Sequence, residues 1–264
     1  MKNAVLSLLA IVGSLTPAIA GINLGTAETF AVLGASTVTN TGPTQIRGNL
    51  GVSPGTAVIG FPPGIMEIGT IHAADAVAAQ AQVDLTTAYN AFQGLPCEFN
   101  LTGQDLGGHT LTPGVYCFNT SAQLTGALVL DFQSGTNSRF IFQIGSTLTT
   151  ASASTVMLAN CTQHCGIYWQ VGSSATLGTS SKFSGNIMAK DSITITTNVV
   201  MCGRALAETG AVTMDSDVIF FMGTLTPPLH GALVNSLPLA EPDGEFTGPA
   251  SFYLAGLDKS EPSR

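Results

Sequence analysis

The sequence predicts a mostly β fold, a solenoid of stacked parallel strands with one long α-helix beside it. Three observations carry this. The first is a period. "GNIMAKDSITITTNVVMCG" from Gly185 overlays "GRALAETGAVTMDSDVIFF" from Gly203. Ile187 falls on Ala205, Met188 on Leu206, Ala189 on Ala207 and Lys190 on Glu208. The same step carries Trp169, Gln170 and Val171 onto Ile187, Met188 and Ala189, and Ile144 falls on Val171 if "NCTQHC" absorbs a longer lap. A repeat of roughly twenty residues, rich in β-branched residues with Gly at its corners, cannot bury its own apolar face and must stack.

The second observation is alternation within each lap. Thr147, Ser174, Ser192 and Ala211 form one outward column, and Thr149, Thr176, Thr194 and Thr213 form the next. Leu148, Ala175, Ile193 and Val212 point inward between them. The last lap fits when Gly210 is an inserted residue, as in a bulge. A strict step of eighteen would expose Val212. The outward face therefore carries hydroxyls and methyls where Lys or Glu would be ordinary.

The third is one segment that breaks the β pattern. From His72, "HAADAVAAQAQVDLTTAYNAFQGLP" is Ala-rich, with a stripe at Val77, Ala81, Leu85, Ala88 and Phe92. That stripe is one helical face. Gly94 and Pro96 end it, giving a helix over about 72–93. About 22 residues make roughly 33 Å, the height of six or seven laps at about 4.8 Å each. The helix is expected to lie along the stack and cover one apolar side.

Composition narrows function. The formal net charge is −8, and 9% of residues are charged against 45% hydrophobic. Neither nucleic acid nor an anionic membrane is an expected partner. Residues 1–20 have a secretory pattern: Lys2, an apolar run from Ala4 to Val12, and the small-x-small Ala18-Ile19-Ala20. The run is too short and too interrupted for an anchor. The expectation is a secreted, extracellular, monomeric protein with one domain over 21–264, its tail from about 236 acting as a cap or extension.

Secretion permits disulfides. Of the five cysteines, Cys161 and Cys165 could close the "NCTQHC" loop, and Cys97 and Cys117 could close a Gly-rich turn. Cys202 is then a small buried residue. The spacing allows these pairings without fixing them. His164 in that loop raises a metal reading, but two Cys and one His at this spacing fit a structural loop better, so no metal is expected. Asn100, Asn119 and Asn160 open sequons, relevant where the host glycosylates.

Parallel β-solenoids also serve as polysaccharide lyases and hydrolases. Those need paired carboxylates or bound calcium with a basic residue in a cleft. Here the acids are scattered and His72, His109, His164 and His230 have no catalytic spacing. Neither a catalytic residue nor a cofactor is expected. A carbohydrate-adhesion protein would recruit exposed aromatics, yet Trp169 sits in an apolar strand and is expected in the core.

Several segments together resemble the secreted microbial ice-binding (antifreeze) protein family. These are "LGTAETFAVLGASTVTNTGPTQIRGNLGVSPG", the long helix, "LTPGVYCF", "FIFQIGSTL", "SGNIMAKDSITI" and "CGRALAETGAVTM". The match runs in order along nearly the whole chain after residue 20. It implies an irregular right-handed parallel β-helix of triangular section with the α-helix alongside. It also implies laps out of order, N-terminal strands beside C-terminal ones, and one flat face that binds ice. Mapped here, that face holds Thr147, Thr149, Ser174, Thr176, Ser192, Thr194, Thr196, Ala211 and Thr213, with Ala35, Thr37 and Thr39 as a further rung. "TAVIGFPPG" and "SAQLTGALVL" are expected to add rungs through Ile59 and Thr125, in a register the repeat does not set.

Overall fold

The computed structural model describes residues 22–135, 138–161 and 166–221. The leader pattern of residues 1–20, His164 and Cys165 of the polar loop, and the tail from 236 lie outside them. Among the described residues the strands form three parallel sheets of nine, seven and eight strands. Each lap gives one strand to each sheet, so the section is three-sided.

The period seen in the sequence is the pairing register. Trp169 pairs with Ile187, which pairs with Ala205, and Ile144 pairs with Val171. The inserted residue is real, but it sits in a corner before the strand and not within the ladder. Ile193 pairs with Val212, one residue beyond the step that pairs Ile187 with Ala205. The Ser192 hydroxyl accepts the Ala211 N–H at 3.1 Å. Gly210 O accepts the N–H groups of Ala35 and Ser36. A Cβ on Gly210 would lie 2.3 Å from Ser192 Oγ, so the corner closes only on Gly. The glycine corners at Gly185 and Gly203 stack likewise: φ is +117° and +158°, and a Cβ on Gly203 would meet Gly185 O at 1.9 Å.

The laps are out of order. Phe30–Gly34 lies between Ala205–Ala207 and Asn49–Val52, and Thr37–Asn40 lies beside Val212–Met214. Gln45–Arg47 lies beside Val218–Phe220. The chain's early strands thereby continue the stack that its last strands would otherwise end. The interior is apolar and aromatic. Trp169 is fully buried, as expected, and stacks on Phe142 at 3.9 Å between ring centroids. Its indole N–H donates to Ser184 O at 3.1 Å, which satisfies its one polar atom. Cys97 and Cys117 are bonded and Cys202 is free and buried. Cys161 is disulfide-bonded.

The helix is Ala76–Gln93, later to start than expected. Residues 72 and 73 belong to the strand Ile71–Ala73 instead. Asp75 is the cap: its carboxylate accepts the Ala78 N–H at 2.8 Å and also meets His72 Nδ1 at 2.7 Å. Eighteen residues make about 27 Å, which covers part of the roughly 38 Å that the nine-stranded sheet spans at about 4.8 Å per strand. Ala81, Leu85, Ala88, Tyr89 and Phe92 pack on Phe30, Leu33, Val115, Ile141, Met188 and Leu206 of the nine-stranded sheet. Val77, read as part of this stripe, is 41% exposed, because the buried face begins with Ala78. At the helix end the Gln143 amide donates to Phe92 O and Leu95 O at 2.7 and 2.8 Å. It ties the helix end to the sheet, adding a donor to Phe92 O, which also accepts the Leu95 N–H at 3.3 Å.

A buried polar chain joins the early strands to the late ones. Asn40 is 3% exposed, and its amide donates to Gly60 O at 2.9 Å. Thr44 donates to Asn40 Oδ1 at 2.6 Å and accepts the Asp217 N–H at 3.0 Å. The Asp217 carboxyl accepts N–H groups from Val199 and Asp215 at 2.8 and 2.9 Å. Burial pushes this carboxyl up to about 7, against the pull of those donors.

Two predictions follow from this packing. Leu85→Ala opens a cavity under the helix and should cost about 2–4 kcal/mol, read as a lower calorimetric Tm with the β signal of the folded state unchanged. Asp217 gives a pH dependence. Its folded pKa lies above 3.8, its ordinary value, so the native state holds a proton the unfolded chain has released. Stability should therefore fall as pH rises from about 4 to about 7, by at most about 4 kcal/mol. Asp84, Asp131 and Asp215 act oppositely. They are held below the ordinary range by bonds from the Thr26 N–H, the Asn160 amide and the Thr197 hydroxyl, and their contribution is lost below about pH 4. The Tm should peak near pH 4–5, and Asp217→Asn should flatten the decline above that while lowering the peak.

Candidate functional site

The seven-stranded sheet has a continuous outer face. Its strands run in the order Ala122–Leu124, Leu148–Thr150, Ala175–Leu177, Ile193–Ile195, Val212–Met214, Thr37–Asn40, Ala57–Ile59. The pairing aligns Gln123, Thr149, Thr176, Thr194, Thr213, Thr39 and Ile59 as one outward column. Five successive rungs are Thr. Thr37 pairs with Ala57 in the flanking column, which continues through Ala211, Ser192, Ser174 and Thr147. Behind them Ala122, Leu148, Ala175, Ile193, Val212 and Val38 are buried. Parallel pairing sets the rungs about 4.8 Å apart, and the two columns lie about 6.6–7 Å apart along each strand.

The columns differ in what their hydroxyls do. In the flanking column Thr147 donates to Ser121 at 2.8 Å, and the Ser174 and Ser192 hydroxyls accept the N–H groups of Ser192 and Ala211. These side chains serve the corner. Among the described residues, the hydroxyls of Thr39, Thr149, Thr176, Thr194 and Thr213 have no protein partner. They are presented to solvent on β-branched, restricted side chains.

Neither column contains Asp, Glu, Lys or Arg. Charges stand at both borders. On the helix side Lys190 pairs with Glu208 at 2.8 Å, and Asp191 accepts from Ser173 at 2.9 Å. On the other side Asp215 accepts from Thr197 at 2.7 Å. Thr196 lies at this second border, its hydroxyl donating to Leu177 O at 2.7 Å.

The structure corrects two expected positions and supplies one that was missed. Ala35 is 4% exposed and is not on the face. It lies in the corner after Phe30–Gly34, where strand alternation does not apply. Thr125 is exposed but lies at the border, two residues beyond the central column, with its N–H on Asp105 Oδ1 at 2.9 Å. The rung of that strand is Gln123. The alternation Ser121-Ala122-Gln123-Leu124 contains the signal, carried by a Gln where the other rungs carry Thr. Ile59 does occupy the column, 54% exposed. Asn100, Asn119 and Asn160 are all exposed. Among the described residues no three His, Cys, Asp or Glu side chains converge as metal ligands.

Residues 32–220 match the family described as ice-binding-like. An ice-binding protein of Nostoc sp. (strain HG1) is 58% identical over 197 residues, 74% of this chain and 72% of that protein. The crystal structure of an ice-binding protein from an Antarctic biological consortium has a TM-score of 0.73 at 45% identity, over 76% of this chain and 90% of that one. An ice-binding protein from an Arctic yeast, whose structure was solved to explain its antifreeze activity, has a TM-score of 0.68 at 26% identity, over 78% and 95%. This chain belongs to the ice-binding-like family.

Proposed function

We propose that the seven-stranded face binds ice and slows its growth and recrystallisation, with the central threonine column as its main contact. The observation that carries this is the run of five in-register threonines, hydroxyls free, on a face without charge. Ice offers a fixed lattice of water oxygens and no net charge. A binder gains from many weak contacts at fixed spacing and loses wherever a group insists on its own hydration shell. Stacked strands supply a fixed repeat. The threonine methyl favours ordered water above it, and the hydroxyl joins that water as donor and acceptor. Rigidity matters because ordering entropy would subtract from each small gain. Here the backbone is held in both neighbouring laps and the side chains are stiff.

Thr37, Ser174, Ser192, Thr147 and Ala211 flank the column and keep the surface low. Gln123 and Ile59 bound it at either end. The leader pattern of residues 1–20 supports an extracellular site of action. Adsorbed molecules would force the ice front to advance as curved surfaces between them, which lowers the temperature at which it can grow.

Replacing Thr194 or Thr149 with Tyr places a ring above the plane of the face. Each change should reduce thermal hysteresis by roughly half or more while changing the unfolding free energy by less than about 1 kcal/mol. Val83→Tyr, on the exposed side of the helix, should leave hysteresis unchanged. Full hysteresis in both threonine variants would remove the face from consideration. Thr194→Asp should lose more activity than Thr194→Ser, because a carboxylate keeps its hydration shell, and crystal shaping by the purified variants reads the order directly.

A further inference from the structure

Polar groups along one line of the helix tie it to the nine-stranded sheet. Gln82, Thr86 and Tyr89 lie at successive turns of Ala76–Gln93. The Gln82 amide donates to Ala207 O at 3.2 Å, the Thr86 hydroxyl to Glu208 Oε1 at 3.2 Å, and the Tyr89 hydroxyl to Val171 O at 3.3 Å. Lys190 Nζ also donates to Glu208 Oε1, at 2.8 Å, and lies 5.6 Å from the centre of the Tyr89 ring. The Glu208 side chain is 7% exposed, so the carboxylate half of this ion pair is closed over.

The donors in this seam are unevenly shared. Glu208 Oε1 accepts from both Thr86 and Lys190, while Oε2 is buried and has no donor among the described residues. Gln82 Oε1 is buried and likewise has none among them. The two oxygens belong to one small region, because Gln82 and Thr86 are a turn apart and the groups they bond, Ala207 and Glu208, are consecutive. Turning the Gln82 amide over would set its oxygen against Ala207 O, so that oxygen cannot find its donor in this way. A buried acceptor without a donor is costly, and a carboxylate oxygen most of all.

We infer that one water molecule is bound in this seam, donating one hydrogen to Gln82 Oε1 and the other to Glu208 Oε2. Water is a small group that supplies two donors at once, and buried waters sit where polar atoms converge. A metal ion suits the place less well. Lys190 already balances the Glu208 charge, and a second cation would bring net charge into a buried seam. The bound water completes the connection between the helix and the lap that runs from Glu208 through Gly210 into Val212–Met214. The helix and a threonine-bearing strand are then joined at their common border by protein and water together. The site stands whatever the threonine face binds.

Diffraction to about 1.2 Å from crystals of the full chain, in sodium and again in rubidium salt, tests this. One density peak should lie within about 3.2 Å of both oxygens, with no anomalous signal there after rubidium exchange. In solution, the Gln82 side-chain amide protons should show cross-relaxation with water of the sign that a long-held molecule gives. Gln82→Leu, which removes one of the two acceptors, should abolish the peak while Lys190 and Glu208 stay paired. Absence of a peak in the unaltered chain would overturn the inference, as would two peaks that each serve one oxygen. So would a protein donor on either oxygen, a rubidium signal at the site, which would make the ligand a monovalent cation, or a peak that survives Gln82→Leu unchanged.

Discussion

The parallel hydrogen-bond ladder between laps is the constraint from which the rest follows. It sets one spacing for every column in the molecule, whatever the local lap length. The laps themselves are unequal. The step is eighteen residues between Trp169 and Ile187, and Ile144 meets Val171 across a longer lap. The central laps of the seven-stranded sheet take up their excess at corners, because one residue more within a strand would turn the side chains after it to the opposite face; elsewhere the register does shift within a ladder, at Ala31 and at Glu67. Gly210 shows how this is done: the insertion is folded into the turn, and the Ser192 hydroxyl takes the Ala211 N–H that the shift would leave without a partner. Thr213 then falls beneath Thr194.

A neutral, flat face on a protein this apolar depends on how the other two sides are used. The helix covers the nine-stranded sheet, whose outward Leu33, Met188, Leu206 and Ile141 would otherwise be exposed. The eight-stranded sheet carries charge, with Arg47 paired to Glu67 and Asp131 bonded by Asn160. The seven-stranded sheet is thus relieved of both duties. Its borders are where the charges resume, at Asp191 and Asp215. The division of labour among three sides is what lets one surface contain only Thr, Ser, Ala, Gln and Ile in its two columns.

Much of this was legible in the sequence, for a physical reason. In the central laps the period of the chain and the period of the ladder coincide, so Thr149, Thr176, Thr194 and Thr213 could be aligned without coordinates. Alternation failed where the chain turns. Ala35 follows a strand directly and points inward, because a corner has its own geometry. The helix start was misplaced because the Ala-rich run extends upstream of its cap. Asp75, a good N-cap residue within "HAADA", marked the boundary, and His72 belongs to the strand before it. Gln123 differs in residue type from the rungs beside it, and only its pairing with Thr149 places it in the column. The order of the laps could not be derived from period alone, since Phe30–Gly34 reaches Ala205–Ala207 across most of the chain. That placement came from resemblance, and the pairing establishes it.

The two outward columns separate functions that composition alone would merge. Hydroxyls in the flanking column close the corners: Ser174 and Ser192 accept backbone N–H groups, and Thr147 bonds Ser121. Thr196 does similar work at the opposite border. Those groups are committed to the protein, and they hold the strand between them in place. The central threonines make no such bonds and can give both their donor and acceptor capacity to water. A column that is held by its neighbours and itself unbound has little entropy left to lose on contact with an ordered solvent. Of all the Thr and Ser residues on this surface, the central five best combine stiffness with availability, and it is the register of the ladder that places them side by side.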